Sequence, residues 1–331
     1  MRKLDINKTN FVLCFILKIY FICCFKILIF NLFITTKFPV KVVNMRLLLL
    51  LMTPISIWSV DAYNYCHNES HVCNAAQMKH FMCQLDSELQ PLDGSVLYKE
   101  TIPDTLGLQN IILSMLNSCR SRLASGNLMT ASNVTFPSAS RMREIIWDEE
   151  LAYMARTHAA TVSFRHSECR STQRFPMAGE CMGMVGSSNT THSVKNLLEL
   201  TLMPMFDEYM EVEDPVELIQ SFNPLEHFDA AHFTVLASDR VSRVGCGIAV
   251  ASNCDRGEQV GGLCHFITCH FDFTNVAESF VYESGEPASK CSVWSSSPSL
   301  KHSDLCANSG KIFPMNHGDN VLKNKALVLS V

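Results

Sequence analysis

Twelve cysteines follow residue 62 of this 331-residue chain: Cys66, Cys73, Cys83, Cys119, Cys169, Cys181, Cys246, Cys254, Cys264, Cys269, Cys291 and Cys306. An even number, spread through one region, suits six disulfides in an oxidising compartment. No two of them stand in a CxxC pair, which argues against the thiolate knuckles of a zinc ribbon. A fold stapled in this way tolerates irregular loops, and it places the body outside the cytosol.

The segments before residue 63 agree. Met45-Arg46 precedes an apolar run ending near Trp58, followed by Val60 and Ala62 at the −3 and −1 positions of a cleavage site. Residues 45–62 therefore read as a signal peptide, with a mature chain beginning at Tyr63. Residues 1–44 form an apolar and basic leader. Its stretch Phe11–Thr36 is interrupted by Lys18 and Lys26, which is costly at mid-bilayer. It is either a membrane anchor or an upstream extension of the reading frame, and in both readings the body is exported. The expectation is a secreted, extracellular protein with no membrane span in its mature form.

Asn68, Asn133 and Asn189 begin N-x-[ST] sequons and are candidate glycosylation sites. Residues 63–331 hold nineteen basic and thirty acidic groups, a net of −11 with His neutral. That charge repels phosphate backbones and excludes nucleic acid as a partner.

Within the body, residues 63–103 read as an irregular stapled arm. Leu108, Ile112, Met115, Cys119 and Leu123 fall at helical spacing, and Gly126 offers a stop. Trp147-Asp148 opens a second helix carrying Leu151, Ala155, His158 and Val162. Ser193 caps a third and Asp214-Pro215 starts a short fourth. His232–Leu236, Val244–Ala251, Cys264–Phe273 and Ser279–Tyr282 read as strands, and 127–140, 183–192 and 252–263 as loops. Helices first and strands later argue for an α+β fold. The tail from residue 286 is expected to be fixed only by Cys291 and Cys306 and disordered beyond.

Several segments, in order, resemble the CAP superfamily (cysteine-rich secretory proteins, antigen 5 and pathogenesis-related proteins), and within it the insect antigen 5-like branch. They are Asn117-Ser118-Cys119-Arg120, Trp147-Asp148-Glu149-Glu150-Leu151-Ala152, Phe164-Arg165-His166-Ser167-Glu168-Cys169-Arg170, Gly179-Glu180-Cys181, Met205-Phe206-Asp207-Glu208-Tyr209, Ala231-His232-Phe233-Thr234, Val244-Gly245-Cys246-Gly247 and Cys269-His270-Phe271. The resemblance implies an α-β-α sandwich, with a small antiparallel sheet between helical layers, over a domain at 104–285. An arm at 63–103 precedes that domain and a cysteine-containing extension at 286–331 follows it.

It also implies a shared set of two His and two Glu, here His166, Glu180, Glu208 and His232, able to hold zinc or another divalent cation. The same four could instead form a closed hydrogen-bond cluster. His158 reads as a core histidine, and His265 and His270 as sheet-face residues. Departures lie close to the set: Cys181 replaces the Asn of the family's "GEN", and Val235 the Gln of "GHYTQ". Set against the family, the cysteines suggest the pairs Cys66–Cys73, Cys83–Cys169, Cys119–Cys181, Cys246–Cys269, Cys254–Cys264 and Cys291–Cys306.

The resemblance implies a binding protein acting on an extracellular protein, lipid or sterol. No cofactor is required, and there is no GxSxG, HExxH or phosphate loop of a conventional enzyme. A metal-dependent hydrolase or peptidase using the four residues is the alternative. An apolar groove near Met203, Met205 and Met210 is the candidate lipid site.

Overall fold

The computed structural model describes residues 65–66, 73–74, 76–92, 94–187, 192–254 and 262–313. The leader, the signal peptide, Asn68 and Asn189 lie outside them.

The helices start where side chains can satisfy free backbone N–H groups. After the one-turn helix α1 (Leu85–Glu88), helix α2 (Leu106–Ala124) is capped by Thr105, whose hydroxyl accepts from Leu108 N. Asp148 caps α3 (Glu149–Ala160) by accepting from Glu150 N and Leu151 N. Ser193 caps α4 (Val194–Asp207), and Asp214 caps α5 (Pro215–Gln220), with Pro215 in its first turn. Gly126 ends α2 at φ +75°, where a Cβ would meet Ser138 at 3.2 Å.

Five strands make one sheet: β1 (Leu97–Thr101), β2 (Ile146–Trp147), β3 (Gly179–Ser187), β4 (Arg243–Ser252) and β5 (Leu263–Phe271). The order is β1-β4-β5-β3, all antiparallel, and β2 adds a short parallel pairing to β4. Helix α3 lies across β4 and β5, while α4 lies against β3 with α2 and α6 (Ala231–Ala237) packed on α4. This is the expected sandwich.

Two glycines permit the close approach of α3. A Cβ at Gly245 would fall 1.9 Å from Ala152 N, and one at Gly247 would fall 2.3 Å from the Arg156 Cα. The opposite face of the sheet carries the larger core, built from residues such as Ile112, Phe136, Phe206, Phe233, Ile248 and Phe271.

Five local expectations change. His232–Leu236 is helical, inside α6. Its β-branched and aromatic residues are buried against α2 and α4, and that packing outweighs their strand preference. Ser279–Tyr282 is a bend rather than a strand. Conversely, β3 occupies part of the expected loop 183–192, because Gly, Cys and Met give weak strand signals. The irregular arm also contributes β1. Past Cys306 the described residues are docked as far as Gly310: Asn308 Nδ2 donates to Glu144 O and Ser242 O at 2.8 Å each, and Arg243 donates to Gly310 O.

The staples differ from the family-based pairing. Cys66 is bonded to Cys83 and Cys73 to Cys169. The arm doubles back so that Tyr65 stacks on His80 at 4.6 Å, while Phe81 N donates to Cys169 O; this brings Cys66 to Cys83 and leaves Cys73 for Cys169. Cys246–Cys269, Cys254–Cys264 and Cys291–Cys306 are bonded. Cys119 and Cys181 do not bridge; both are buried free thiols. Cys119 Sγ lies 3.7 Å from Met203 Sδ on α4, and Cys181 stands in register with Cys269, the partner of Cys246. Burial pushes the Cys119 thiol up to about 11 and the Cys181 thiol above its ordinary range.

Candidate metal site

Strand register builds the first half of the site. The β3–β5 pairing sets Glu180 opposite His270, on the sheet face that α3 covers, and α3 presents His158 there. The loop after α3 supplies His166, Ser167 and Arg170.

All five converge on the Glu180 carboxylate, whose side chain is fully buried. Oε2 is 2.8 Å from His158 Nδ1, 2.9 Å from His270 Nε2 and 2.9 Å from Ser167 Oγ. Oε1 is 2.7 Å from His166 Nδ1, 3.0 Å from Ser167 N and 3.3 Å from Arg170 Nη2. Arg170 is itself held by Ser167 Oγ and Ser167 O, at 2.8 Å each.

The electrostatics follow from this crowd. Burial alone would raise the Glu180 pKa. The Arg170 charge, His158 and the hydrogen bonds from His158 and His166 outweigh it and hold the carboxyl well below the usual range. An ionised carboxylate only accepts hydrogen bonds, so each ring nitrogen facing it carries its proton. Burial pushes His270 down to about 4, so it is neutral at pH 7. The far nitrogens, His158 Nε2 and His270 Nδ1, are buried without a hydrogen-bond partner. The Phe81 ring lies 5.8 Å and 5.7 Å from the two imidazoles, so an apolar wall takes the place of water.

The second half is simpler. Glu208 begins the 3-10 turn after α4. Its Oε1 is 2.6 Å from His232 Nδ1 and its Oε2 accepts from Phe233 N at 2.9 Å. The side chains of Glu208 and His232 are 21% and 32% exposed, and that of His166 is 30% exposed.

The four expected residues include two His–carboxylate pairs, His166 with Glu180 and His232 with Glu208. Among the described residues, the group whose potential ligand atoms lie within 4.8 Å of one another is His158, Glu180 and His270. That trio could hold a metal ion, although its inward atoms are already engaged in hydrogen bonds with one another. His158 and His270 are the functional-site residues that sequence reasoning missed. His158 is buried in the core as expected, but it is also a polar ligand of Glu180. Thr234, the nearest hydroxyl to His232 in sequence, is fully buried, donates to Ala231 O and lies 3.1 Å from Asn275 Nδ2, so it is not poised as a nucleophile.

The model of the cysteine-rich secretory protein family (CAP) matches residues 113–271, which contain all six His and Glu residues above. Venom allergen-1 of Aedes albopictus is 28% identical over 245 residues, covering 73% of this chain and 88% of its own length. Venom allergen 3 of Solenopsis invicta is 28% identical over 242 residues, covering 72% and 96%. The solved structure of BmVAL-1 superposes with a TM-score of 0.50 at 25% identity, covering 62% of this chain and 96% of that one.

Proposed function

Since the chain belongs to the CAP family, we propose that it is a secreted extracellular binding protein, not a conventional enzyme, and that His166 and His232 bind a divalent cation such as zinc. One observation carries the metal reading. Each imidazole gives its Nδ1 to a carboxylate, at 2.7 Å for His166 and 2.6 Å for His232, and keeps a partly exposed ring with Nε2 to spare. Carboxylates in this position fix the tautomer and orientation of metal-binding imidazoles and raise their basicity. In this reading Glu180 and Glu208 orient ligands as the outer half of the site. A bound cation would supply charge for holding an anionic or carbonyl-bearing partner.

The test is calorimetric titration of the metal-free protein, residues 63–331 made through a secretory route, with zinc. Micromolar binding that His232→Ala abolishes is the expected result. Equal binding by both proteins would remove the metal reading and leave the pairs as hydrogen-bond staples. Zinc-dependent cleavage of a peptide panel, lost in the same variant, would instead establish the hydrolase alternative.

A second observation favours an apolar ligand as well. A groove of about 880 Å³ between α2 and α4 is lined by Ile111, Leu113, Met115, Cys119 and Met203, with Lys195 and Lys301 also on its walls. Of the three methionines singled out in the sequence, only Met203 lines it; Met205 is buried in the core and Met210 is exposed. Apolar walls with lysines suit a lipid or sterol bearing an acidic group. Displacement of a fluorescent fatty acid, lost on filling the groove with Met203→Trp, tests this.

A further inference from the structure

The C-terminal extension builds a cavity unconnected with either His–carboxylate pair. It measures about 380 Å³ and is walled by Phe175, Phe273, Trp294 and Phe313, with Arg143, Arg174 and Asp272 among its lining residues. Trp294 and Phe313 come from the extension pinned by Cys291–Cys306, so the cavity exists only because that tail is docked.

The other charged side chains in this region have several partners, and Arg240, also on the cavity wall, donates to Ser279 Oγ and Phe280 O. Arg174 pairs with Asp148 at 2.8 Å and Glu150 at 2.9 Å, Arg243 with Asp148 at 3.0 Å, and Arg141 with Asp239 at 2.8 Å. Asp272 accepts from Ser242 N, Ser242 Oγ and Arg243 N. Arg120 has no carboxylate, but its guanidinium spends five hydrogen bonds on the carbonyls of Arg143, Leu236, Ser238 and Val241.

Arg143 is less fully compensated: Asp272 and Asp239 favour its charge without pairing with it. It is 4% exposed, enters no ion pair among the described residues, and makes one hydrogen bond, from Nη2 to Arg240 O at 3.0 Å. Its Nε is buried without a partner. What holds it is aromatic: the guanidinium carbon lies 4.0 Å from the Trp294 ring centroid and 5.3 Å from that of Phe313. Stacking of this kind fixes the plane of the guanidinium and leaves its N–H edge available for in-plane acceptors. Burial draws its pKa down to about 10, although the charges of Asp272 and Asp239 act in the opposite direction. An acidic group entering the cavity would provide the in-plane acceptors that the guanidinium lacks.

We propose that the cavity walled by Trp294, Phe313, Phe273 and Phe175 is a binding site for a flat aromatic monoanion, whose acidic group pairs with the Arg143 guanidinium while its ring packs against the aromatic walls. A single charge is called for because Arg174 is already paired and the Asp272 carboxylate on the same wall opposes a second one. A flat body is called for because four aromatic side chains form the walls.

The probe is 2-naphthoate, titrated calorimetrically into the full secreted chain with EDTA present so that metal plays no part. 2-Naphthamide serves as the uncharged control. The acid should bind at least tenfold more tightly than the amide, and Arg143→Met should remove at least tenfold of that affinity with the circular dichroism spectrum unchanged. Equal affinities for acid and amide in the wild-type protein overturn the proposal without need of a variant. So does unchanged naphthoate binding in Arg143→Met, which would put the acid elsewhere, for instance in the groove between α2 and α4. Should Arg143→Met fail to fold, Trp294→Leu keeps the charge and removes one wall. It should weaken naphthoate at least fivefold, and full retention of affinity would count against the site.

Discussion

The two His–carboxylate pairs use the same chemistry and are built in opposite ways. Glu180 is buried and receives six contacts from five residues, so its position is over-determined and His166 can only take the orientation it is given. Glu208 is partly exposed and holds His232 with support from one backbone N–H. One half of the site is part of the core, and the other can adjust to what arrives. On the proposed metal reading, loss of Glu180 is expected to act as a folding defect and loss of Glu208 as a binding defect.

Glu180→Gln should have the largest effect. It leaves the Arg170 charge unpaired in the interior and turns an amide N–H₂ toward ring N–H donors, a loss of about 3–5 kcal/mol. Urea denaturation at pH 7 measures it, and a loss under about 1 kcal/mol would erase the distinction between the pairs. Acid should act on the same half. His270 and His80 have folded values lowered to about 4, so between about pH 6.5 and 4 the unfolded chain binds protons that the folded chain refuses. Stability is therefore lost as pH falls through that window, by roughly 2–4 kcal/mol. The contribution of Glu180, whose folded value is depressed, is lost only lower still, as pH drops through that value. Melting curves from pH 7 to 4 should show the decline, and a flat profile would contradict it.

Glu208→Gln should cost about 1 kcal/mol or less of stability, as expected for a partly exposed pair, yet reduce zinc affinity about tenfold or more. Equal damage to both properties would make the two pairs alike. The smallest effect should come from Cys181→Ala, whose side chain faces away from Glu180. It should cost about 1 kcal/mol and leave metal binding unchanged. A related check is alkylation: Cys119 and Cys181 should react with iodoacetamide only in denaturant, and their absence from the alkylated peptides would mean that they are bridged.

Much of the scaffold was legible in the residues. Caps at Asp148, Ser193 and Asp214 act through contacts within a few residues, and so do the helical spacings of α2 and α3. Strand β3 was not, because Gly179-Glu180-Cys181-Met182-Gly183 owes its conformation to pairing with β5, not to its own preferences. Of the site, Glu180 with His166 and Glu208 with His232 came from family likeness and not from spacing. His158 and His270 could have been added by one further step. His270 alternates with Cys269 along a strand, so it must face away from the Cys246–Cys269 bond and toward the helix that carries His158. That step requires knowing which layer lies on which face, and no single sequence states it.

The buried carboxylate has one more consequence, for sheet fidelity. Side chains alternate along a strand, so sliding β3 by one position against β5 would turn Glu180 to the other face. There, where even a Cβ at Gly183 would meet Thr201 at 2.7 Å and Met205 at 3.3 Å, it would meet α4 and lose its contacts with Arg170, Ser167 and the imidazoles. An uncompensated interior charge costs several kcal/mol, so the slipped pairing is disfavoured. Glu180 thereby proofreads the sheet that displays it.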